Sequence, residues 1–263
     1  MMLWTTTINP NNPAVAFNEL TTAWQANENR VFLIKGGEEI GPIQDFYTKW
    51  FGSIGTPVPL AEDATLGDRE HQRTGEIWME VRYDPSIPNA YRHSANAQPL
   101  HTDGSYIPDF PNATLLACVA SADEGGDTIF IASDDVAASL ADERPELFDY
   151  LTKRTILHAR SGDQRKEKVI DCDHPIPLVN WNYYCLSKEL NAEDRAASEA
   201  FFEFLASSPT IAAKTLPVKL SPGDAIAWKD RQVLHGRNGF VATSVSERFI
   251  WKCAIDVGKF AHA

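Results

Sequence analysis

A succession of short strand-like segments constrains the fold of this chain more than any other feature of its sequence. From Gly75 onward, segments rich in β-branched and aromatic residues alternate with clusters of Gly, Pro, Asn and Asp, which are typical of turns. Many short strands separated by turns predict a sandwich or a barrel, and jelly rolls are a common form of these. The predicted strands are residues 76–82, 114–120, 128–132, 168–171, 177–186, 214–220, 225–228 and 247–255.

Predicted helices flank and interrupt these strands. Residues 14–27 and 42–51 predict two amphipathic helices, which are separated by a short buried strand at residues 31–34. Two further helices are predicted among the later strands, at residues 133–153 and 191–207. The predicted fold class is therefore mainly β with flanking helices.

The caps of the two later helices can be predicted from residue type. Ser133 is expected to cap the first of them, and Pro145 to open its second half, because proline is tolerated in the first turn of a helix. Asn191 is expected to cap the second, because its side chain can accept a hydrogen bond from a free backbone N–H.

Length and composition predict one globular domain. The 263 residues include 43% hydrophobic and 23% charged residues, an ordinary balance for a protein with a large buried core. The sequence has no internal repeat and no Gly/Ser linker, so we expect a single domain over residues 1–263. The four cysteines lie far apart in apolar stretches, where we expect reduced, buried thiols of the kind found in cytoplasmic proteins.

The charge and hydropathy of the chain exclude several classes of partner. The formal net charge of -12 argues against a nucleic-acid partner, because an acidic surface repels phosphate groups. No apolar run approaches the roughly 20 residues that a membrane-spanning helix needs. The N-terminal residues do not have the pattern of a secretory signal. We therefore expect a cytoplasmic protein that acts on a small molecule, and the sequence predicts no particular oligomeric state.

Three residues in two distant segments form a candidate metal site. His101 and Asp103 are two positions apart, so in an extended chain both side chains point to the same face. His235 follows a short apolar segment and precedes a glycine. Two histidines and one carboxylate are the set that holds non-haem Fe(II) and leaves positions open for other ligands. For each histidine alone, packing in the core is the alternative.

Two more residues fit a site for a small oxoacid beside the metal. Arg248 begins an apolar strand downstream of His235, and a hairpin between them would return it to the metal's side of the sheet. Its guanidinium would pair with the distal carboxylate of 2-oxoglutarate. Thr128 follows the Gly125-Gly126 turn and offers a hydroxyl to the same carboxylate. The alternatives are an exposed charge at a strand start and an ordinary turn.

These segments, in this order, resemble the taurine dioxygenase (TauD/TfdA) family of Fe(II)- and 2-oxoglutarate-dependent oxygenases. In motif detail they are most similar to its gamma-butyrobetaine hydroxylase-like branch. One departure is Lys229-Asp230-Arg231, where family members often have Asp-Asn-Arg, and we interpret it as a local packing variation. The matching segments are Leu100-His-Thr-Asp103, Gly125-Gly-Asp-Thr128, Leu220-Ser-Pro-Gly-Asp224 and Trp228-Lys-Asp-Arg-Gln-Val-Leu-His-Gly-Arg237, followed by Arg248.

The resemblance implies a double-stranded β-helix (jelly-roll) core and a single oxygenase domain. It implies His101, Asp103 and His235 as iron ligands, Arg248 and Thr128 as ligands of 2-oxoglutarate, and O2 as co-substrate. The implied reaction is hydroxylation of an unactivated C–H bond, with desaturation or ring closure as other outcomes, and with release of succinate and CO2. Family halogenases lack the carboxylate, so Asp103 argues against halogenation.

The candidate substrate residues lie beside these motifs. We expect a small polar substrate that carries a carboxylate, such as an amino acid or a natural-product intermediate, and Arg92 is a further cation that would suit it. For the aromatic stretch at residues 179–184, core packing is an equal alternative. The candidates are Arg82, Ser105, Tyr106, Asn182, Tyr183 and Arg237.

Two other function classes remain open from the sequence. A cupin-like metal-dependent isomerase or hydrolase would use the same His/Asp/His site without 2-oxoglutarate, and it would need neither Arg248 nor Thr128. A binding or regulatory protein would keep the fold without turnover, although such members usually lose a metal ligand.

Overall fold

The computed structural model describes residues 2–37, 40–52, 54–60, 76–87, 90–108, 111–160 and 162–257. The strands are β1 (Leu3–Thr7), β2 (Val31–Lys35), β3 (Thr56–Pro57), β4 (Met79–Arg82), β5 (Gln98–His101), β6 (Ala113–Ala120), β7 (Thr128–Ala132), β8 (Thr155–Arg160), β9 (Asp163–Lys168), β10 (Ile170–Asp171), β11 (Leu178–Val179), β12 (Leu216–Val218), β13 (Ala225–Lys229), β14 (Val233–Arg237) and β15 (Phe249–Asp256). The helices are α1 (Pro13–Gln25), α2 (Ile43–Phe51), α3 (Ser133–Glu143), α4 (Pro145–Lys153), α5 (Ala192–Ser207) and α6 (Pro209–Lys214).

Two facing sheets form the core of the molecule. The larger sheet has seven strands along the path β1-β2-β13-β6-β15-β3, with β4 also paired to β15. The smaller sheet has four strands in the order β12-β7-β14-β5. Neighbouring strands in both sheets are distant in sequence and, apart from β1 and β2, antiparallel. This is the jelly-roll architecture, and the predicted fold class is confirmed.

Alternation along each strand explains why the sheets face one another. Successive side chains of a strand point to opposite faces, and in β13 Ile226 and Trp228 point toward the smaller sheet while Ala225 and Ala227 point away from it. From the smaller sheet, Phe130 enters the same inner layer. Its ring meets the ring of Trp228 edge to face, with 5.4 Å between the centroids.

The helices cover the outer faces of the two sheets. Leu20 and Trp24 of α1 and Tyr47 and Trp50 of α2 pack on the outer face of the larger sheet. Helices α3 to α6 cover the smaller sheet, where Ile131 packs in a cluster with helical side chains such as those of Val136 and Phe201. The described helices include none that is long and apolar enough to cross a bilayer.

The helical insert at residues 133–153 differs in detail from its prediction. It is two helices, because Pro145 starts a new one and the chain leaves helical geometry at Arg144. Ser133 is wrong as a cap, since Ala132 takes that position. The cap predicted for α5 is confirmed: the Asn191 side chain accepts a hydrogen bond of 2.8 Å from the backbone N–H of Asp194.

The strand predicted at residues 177–186 is largely wrong. Only Leu178–Val179 (β11) pairs as a strand, and Tyr183–Cys185 form a short 3-10 helix. The Asn182 side chain accepts a hydrogen bond of 3.1 Å from the backbone N–H of Tyr184. Such local capping competes with strand pairing, and here it outweighs the strand preference of the aromatic residues.

We expect Phe130→Ala to lower the free energy of unfolding by about 3–5 kcal/mol, because the ring is fully buried between the sheets and the truncation leaves a cavity. Urea denaturation of both proteins measures this difference. Val15→Ala is the control, since Val15 is exposed, and it should change stability by less than about 0.5 kcal/mol. A loss below 1 kcal/mol in Phe130→Ala would contradict the two-sheet core.

Candidate metal and oxoacid site

The two site histidines are brought together by strand pairing. His101 is the last residue of β5, and His235 lies in the middle of the neighbouring strand β14, directly opposite it. Residues opposite one another in an antiparallel pair are side-chain neighbours, and the two ring centroids are 4.2 Å apart. Residues 101 and 235 therefore meet because of the register of one strand pair.

Asp103 completes a compact set of three possible ligands. Its Oδ1 lies 3.8 Å from His101 Nε2, and its Oδ2 lies 3.7 Å from His235 Nε2. One potential ligand atom from each residue falls within 4.8 Å of the others. Metal–nitrogen and metal–oxygen bonds are roughly 2.0–2.2 Å long, so one ion between these atoms fits the set.

The histidines have the orientation and charge state that a metal ligand needs. His101 Nδ1 lies 2.9 Å from the carbonyl oxygen of Pro99, a contact in which Nδ1–H donates and Nε2 faces the site. Burial lowers the pKa of His101 and places the pKa of His235 well below its ordinary value. Both rings are therefore neutral near pH 7, which is the form that binds a metal ion.

The Asp103 carboxylate is surrounded by polar groups. Lys252 Nζ lies 2.5 Å from its Oδ2, and the Thr114 hydroxyl lies 3.3 Å from the same oxygen. Burial alone would raise the pKa of Asp103, but the positive charge of Lys252 lowers it well below its usual range. Asp103 is thus held as a carboxylate, with Lys252 as its counterion.

A second buried carboxyl group, that of Asp230, lies near Asp103. The Thr114 hydroxyl donates a hydrogen bond of 2.7 Å to Asp230 Oδ2, so Thr114 links the two acids. Burial, followed by the nearby charge of Asp103, raises the pKa of Asp230 above its ordinary value. Asp230 was not predicted as a site residue, although it lies in the segment that departs from the family pattern.

Thr128 lies on the same sheet as the two histidines, whereas Arg248 faces them across the space between the sheets. Thr128 begins β7, Arg248 immediately precedes β15, and both line the same cavity as His101 and His235. The hairpin expected to join His235 to Arg248 within one sheet is wrong, because β14 belongs to the smaller sheet and β15 to the larger one. Arg248 reaches the site across the sandwich.

Arg248 is a buried cation with little to neutralise it. It is 3% exposed, and among the described residues no carboxylate lies within ion-pair distance of it. Its Nε–H donates to the carbonyl oxygen of Gly126 over 3.2 Å. Burial lowers its pKa to about 10, so the group remains charged near pH 7. A desolvated guanidinium of this kind is suited to bind an anion.

The Gly125-Gly126 turn is required for this arrangement. Gly126 has a φ of +76°, and a Cβ built on it would lie 3.2 Å from both Cδ and Nε of Arg248. A Cβ on Gly125 would come within 2.2 Å of the carbonyl oxygen of Gly239. Both the left-handed backbone and the close approach favour glycine at these positions.

The cavity between the sheets has apolar walls and several cations. Met79, Val81, Leu116 and Trp228 form much of the apolar lining, and the rings of Trp228 and His235 are 4.6 Å apart. The cations on the lining, besides Arg248, are Arg92, Arg237 and Lys252.

Most of the predicted substrate residues are not brought to this cavity. Arg82 lies outside the lining and pairs with Glu80 at 2.7 Å and with Asp84 at 3.2 Å. Asn182 caps the 3-10 helix, and Tyr183 stacks on Phe202 with 4.3 Å between the ring centroids. Their part in substrate binding is therefore not supported by position.

Ser105 and Tyr106 lie in the turn after Asp103, and both are buried outside the described cavity lining. The Ser105 carbonyl oxygen accepts a hydrogen bond of 3.1 Å from the Asn180 side chain. Of the six predicted substrate residues, only Arg237 lines the cavity.

Lys252 lines the cavity and was not predicted from the sequence. It lies four positions after Arg248 at the start of β15, and side chains two and four positions apart on a strand share a face. The placement of Arg248 in the site was therefore a signal for Lys252. Gln98 was also missed, and its amide nitrogen lies 3.2 Å from His101 Nε2.

The fold and the converging two-histidine, one-carboxylate set define a class, the jelly-roll proteins built to hold a metal ion with open coordination positions. Residues 44–254 match the family described as "Taurine catabolism dioxygenase TauD, TfdA family". The chain belongs to this family, as its motifs predicted.

Two curated relatives illustrate the similarity. Gamma-butyrobetaine dioxygenase of Homo sapiens is 23% identical over 191 residues, which are 67% of this chain and 48% of that protein. The alkylsulfatase of Acinetobacter baylyi is 21% identical over 206 residues, which are 65% of this chain and 64% of that protein. The chain thus spans about half the length of the first of these relatives.

Solved structures share the fold at lower identity. An asparagine oxygenase in complex with Fe(II), 2S,3S-3-hydroxyasparagine and succinate superposes with a TM-score of 0.72 and 13% identity, covering 93% of this chain and 80% of that one. The non-heme iron oxygenase OrfP in complex with Fe and alpha-ketoglutaric acid superposes with a TM-score of 0.68 and 16% identity, covering 94% and 80%. These similarities support the jelly-roll fold.

We expect Thr114→Val to weaken binding of a divalent metal ion by roughly tenfold, because groups that orient a ligand typically change metal affinity 10–100-fold. The substitution keeps the shape and removes the hydroxyl that links Asp103 to Asp230. Titration with Co(II), followed by visible absorbance, measures the affinity. Thr152→Val is the control, since that hydroxyl bonds only to carbonyls of its own helix. Equal affinity in wild type and Thr114→Val would show that the link does not matter.

Proposed function

We propose that this chain is an Fe(II)- and 2-oxoglutarate-dependent oxygenase that acts on a small polar, carboxylate-bearing metabolite. Its reaction is the hydroxylation of an unactivated C–H bond, or a desaturation or ring closure at that bond, with release of succinate and CO2. The observation that carries the proposal is Arg248, a buried guanidinium that lines one cavity with the two histidines of the His/Asp/His set and has no described carboxylate partner.

The donor set fits ferrous iron. His101, Asp103 and His235 would hold it from one side and leave the cavity side open. When bound, iron and the oxoacid together supply the oxidation of the C–H bond by O2. The protein supplies ligand geometry: Pro99 fixes the tautomer of His101, and Thr114 and Asp230 support Asp103.

Arg248 and Thr128 suit the distal carboxylate of 2-oxoglutarate. A guanidinium can bind a carboxylate through two parallel hydrogen bonds, and both residues are buried, where such bonds are strong. Leu116 and Trp228 on the inner face would exclude water from the bound oxoacid. The cupin-like alternative gives no role to Arg248, so we favour the oxygenase.

The cations of the cavity support a carboxylate-bearing substrate. Lys252 pairs with Asp103 in this structure, and a metal ion bound to Asp103 would take over that negative charge. The Lys252 ammonium, which lines the cavity, would then be available to an anion there. Among proteins of similar fold, OrfP and an asparagine oxygenase have been crystallised with hydroxylated amino acids. An amino acid or a related metabolite is the substrate class that we propose.

The co-substrate site is tested with Fe(II) and 2-oxoglutarate under anaerobic conditions, where a chelated oxoacid gives a weak visible charge-transfer band. We expect a saturable band in wild type and none in His235→Ala. In Arg248→Ala the Kd for 2-oxoglutarate should rise by at least roughly 30-fold, because loss of one partner of a buried charge pair costs about 2 kcal/mol or more. The exposed Arg154, changed to Ala, is the control. Iron binding without any band in wild type would refute the proposal.

The substrate class is tested by succinate release from a panel of amino acids and of the corresponding amides. We expect only compounds with a free carboxylate to stimulate release. In Lys252→Gln the KM for an active carboxylate should rise at least tenfold, because a charge-assisted contact is lost, whereas the exposed Lys153→Gln should match wild type. Equal stimulation by acids and amides would rule out carboxylate recognition.

A further inference from the structure

Arg237 makes an unusual set of contacts beside the proposed active site. It lies on β14, two residues after His235, and is 4% exposed. Its Nη2 donates to three backbone carbonyl oxygens, those of Tyr91 at 3.2 Å, Ser94 at 2.8 Å and Asn96 at 2.6 Å. All three belong to residues 90–96, which we call the wall segment. A single buried guanidinium thus holds a segment far away in the sequence.

The wall segment meets the described cavity lining through one residue, Arg92. It contains the short 3-10 helix Tyr91–His93, and Arg92 from this helix reaches the cavity lining. Its described internal amide bonds close single turns, from His93 N–H to Ala90 and from Ser94 N–H to Tyr91. Bonds of this kind break easily, so the position of Arg92 depends on contacts with the rest of the protein.

Other contacts hold the segment from outside. The Tyr91 hydroxyl donates to the Tyr184 hydroxyl over 2.7 Å, in a part-exposed position. The backbone N–H of Phe240 donates to the Ala95 carbonyl oxygen over 3.1 Å. His93 of the segment also contacts the chain at and after β4: its Nδ1 lies 3.0 Å from the Arg82 carbonyl oxygen, and its carbonyl oxygen accepts a hydrogen bond of 2.9 Å from the backbone N–H of Asp84.

Arg237 is also coupled to the proposed oxoacid site. The guanidinium carbon of Arg237 lies 5.1 Å from the ring centroid of Phe240, and that of Arg248 lies 5.6 Å from the same centroid. Two cations therefore share one aromatic ring, with no described carboxylate at ion-pair distance from either. Burial, followed by the charge of Arg248, lowers the pKa of Arg237 to about 9. Like charges in such surroundings repel one another.

We propose that Arg237 is a positioning residue that holds the wall segment, and with it Arg92, over the cavity, and that this hold strengthens when a dianion binds at Arg248. The second part rests on the proposed function. A carboxylate at Arg248 would offset the repulsion between the two guanidinium groups and leave the bonds from Arg237 to the wall segment stronger. Co-substrate binding would thus reduce the mobility of the wall segment beside the substrate.

The three backbone contacts explain why Arg237 is not assigned to substrate directly. Nη2 is committed to carbonyl oxygens of the wall segment, and the planar group stacks near Phe240. Swinging the guanidinium toward a ligand would break these part-buried hydrogen bonds and remove the donor described for the Ser94 and Asn96 carbonyl oxygens. Arg237 is therefore assigned to the wall segment and not to the substrate.

Hydrogen–deuterium exchange of the iron-loaded, anaerobic protein tests both parts. The peptides that cover residues 90–98 are followed with and without saturating 2-oxoglutarate, while the charge-transfer band reports binding in the same samples. In wild type we expect the oxoacid to slow exchange of these peptides severalfold. In Arg237→Met exchange should be at least tenfold faster, and 2-oxoglutarate should no longer slow it. Arg237→Lys, which keeps the charge, should restore part of the protection.

The control is Arg231→Met, because Arg231 pairs with Glu167 and has no described contact with the wall segment. Unchanged exchange in Arg237→Met would overturn the positioning role. Wild-type exchange that stays constant or rises while the band saturates would overturn the coupling. Absence of the band in wild type would refute the proposed function, whereas faster exchange in Arg237→Met without oxoacid would still support the positioning role. A thermal melt of each variant confirms that it is folded.

Discussion

The pairing of β5 with β14 is the constraint on which the site depends. It sets His101 against His235, and a slip of one residue in either strand would turn one imidazole to the opposite face. The same strand β14 pairs on its other side with β7, where Thr128 lies opposite Arg237. One central strand of the smaller sheet therefore positions the two histidines of the candidate metal site, Thr128 and Arg237.

The described lining of the cavity between the sheets is rich in positive charge. Four cations line it. Lys252 pairs with Asp103, and among the described residues no carboxylate lies within ion-pair distance of Arg237 or Arg248. Buried charges are costly unless they are paired, and this excess of positive charge is offset by backbone carbonyls, by the ring of Phe240 and, in the functional protein that we propose, by bound anions. The overall charge of -12 gives no indication of this, since it describes the surface as a whole.

Residues whose expected role follows from the chemistry of the side chain could be predicted from the sequence. Residues whose role depends on contacts with backbone atoms far away in the sequence could not. His101, Asp103 and His235 could be predicted as a set because their side chains together suit one metal ion. Arg248 could be predicted because it precedes an apolar segment shortly after His235. The two sheets that bring Arg248 across the sandwich could not be read from local pattern, so a hairpin was expected instead. The partners of Arg237 are carbonyl oxygens, which any residue offers, and no sequence signal marks them.

The departure from the family motif at Lys229 and Asp230 affects both faces of the larger sheet. Consecutive residues of an extended chain point in opposite directions, and Lys229 points outward, where its Nζ donates to the Trp24 carbonyl oxygen at 3.0 Å, near the C-terminus of α1. A cation at the end of a helix is favoured there, so this half of the variation is a matter of packing. Asp230 points inward to Thr114, beside Asp103. The interpretation as packing alone therefore holds for Lys229, whereas Asp230 shares the Thr114 hydroxyl with Asp103, the carboxylate of the candidate metal site.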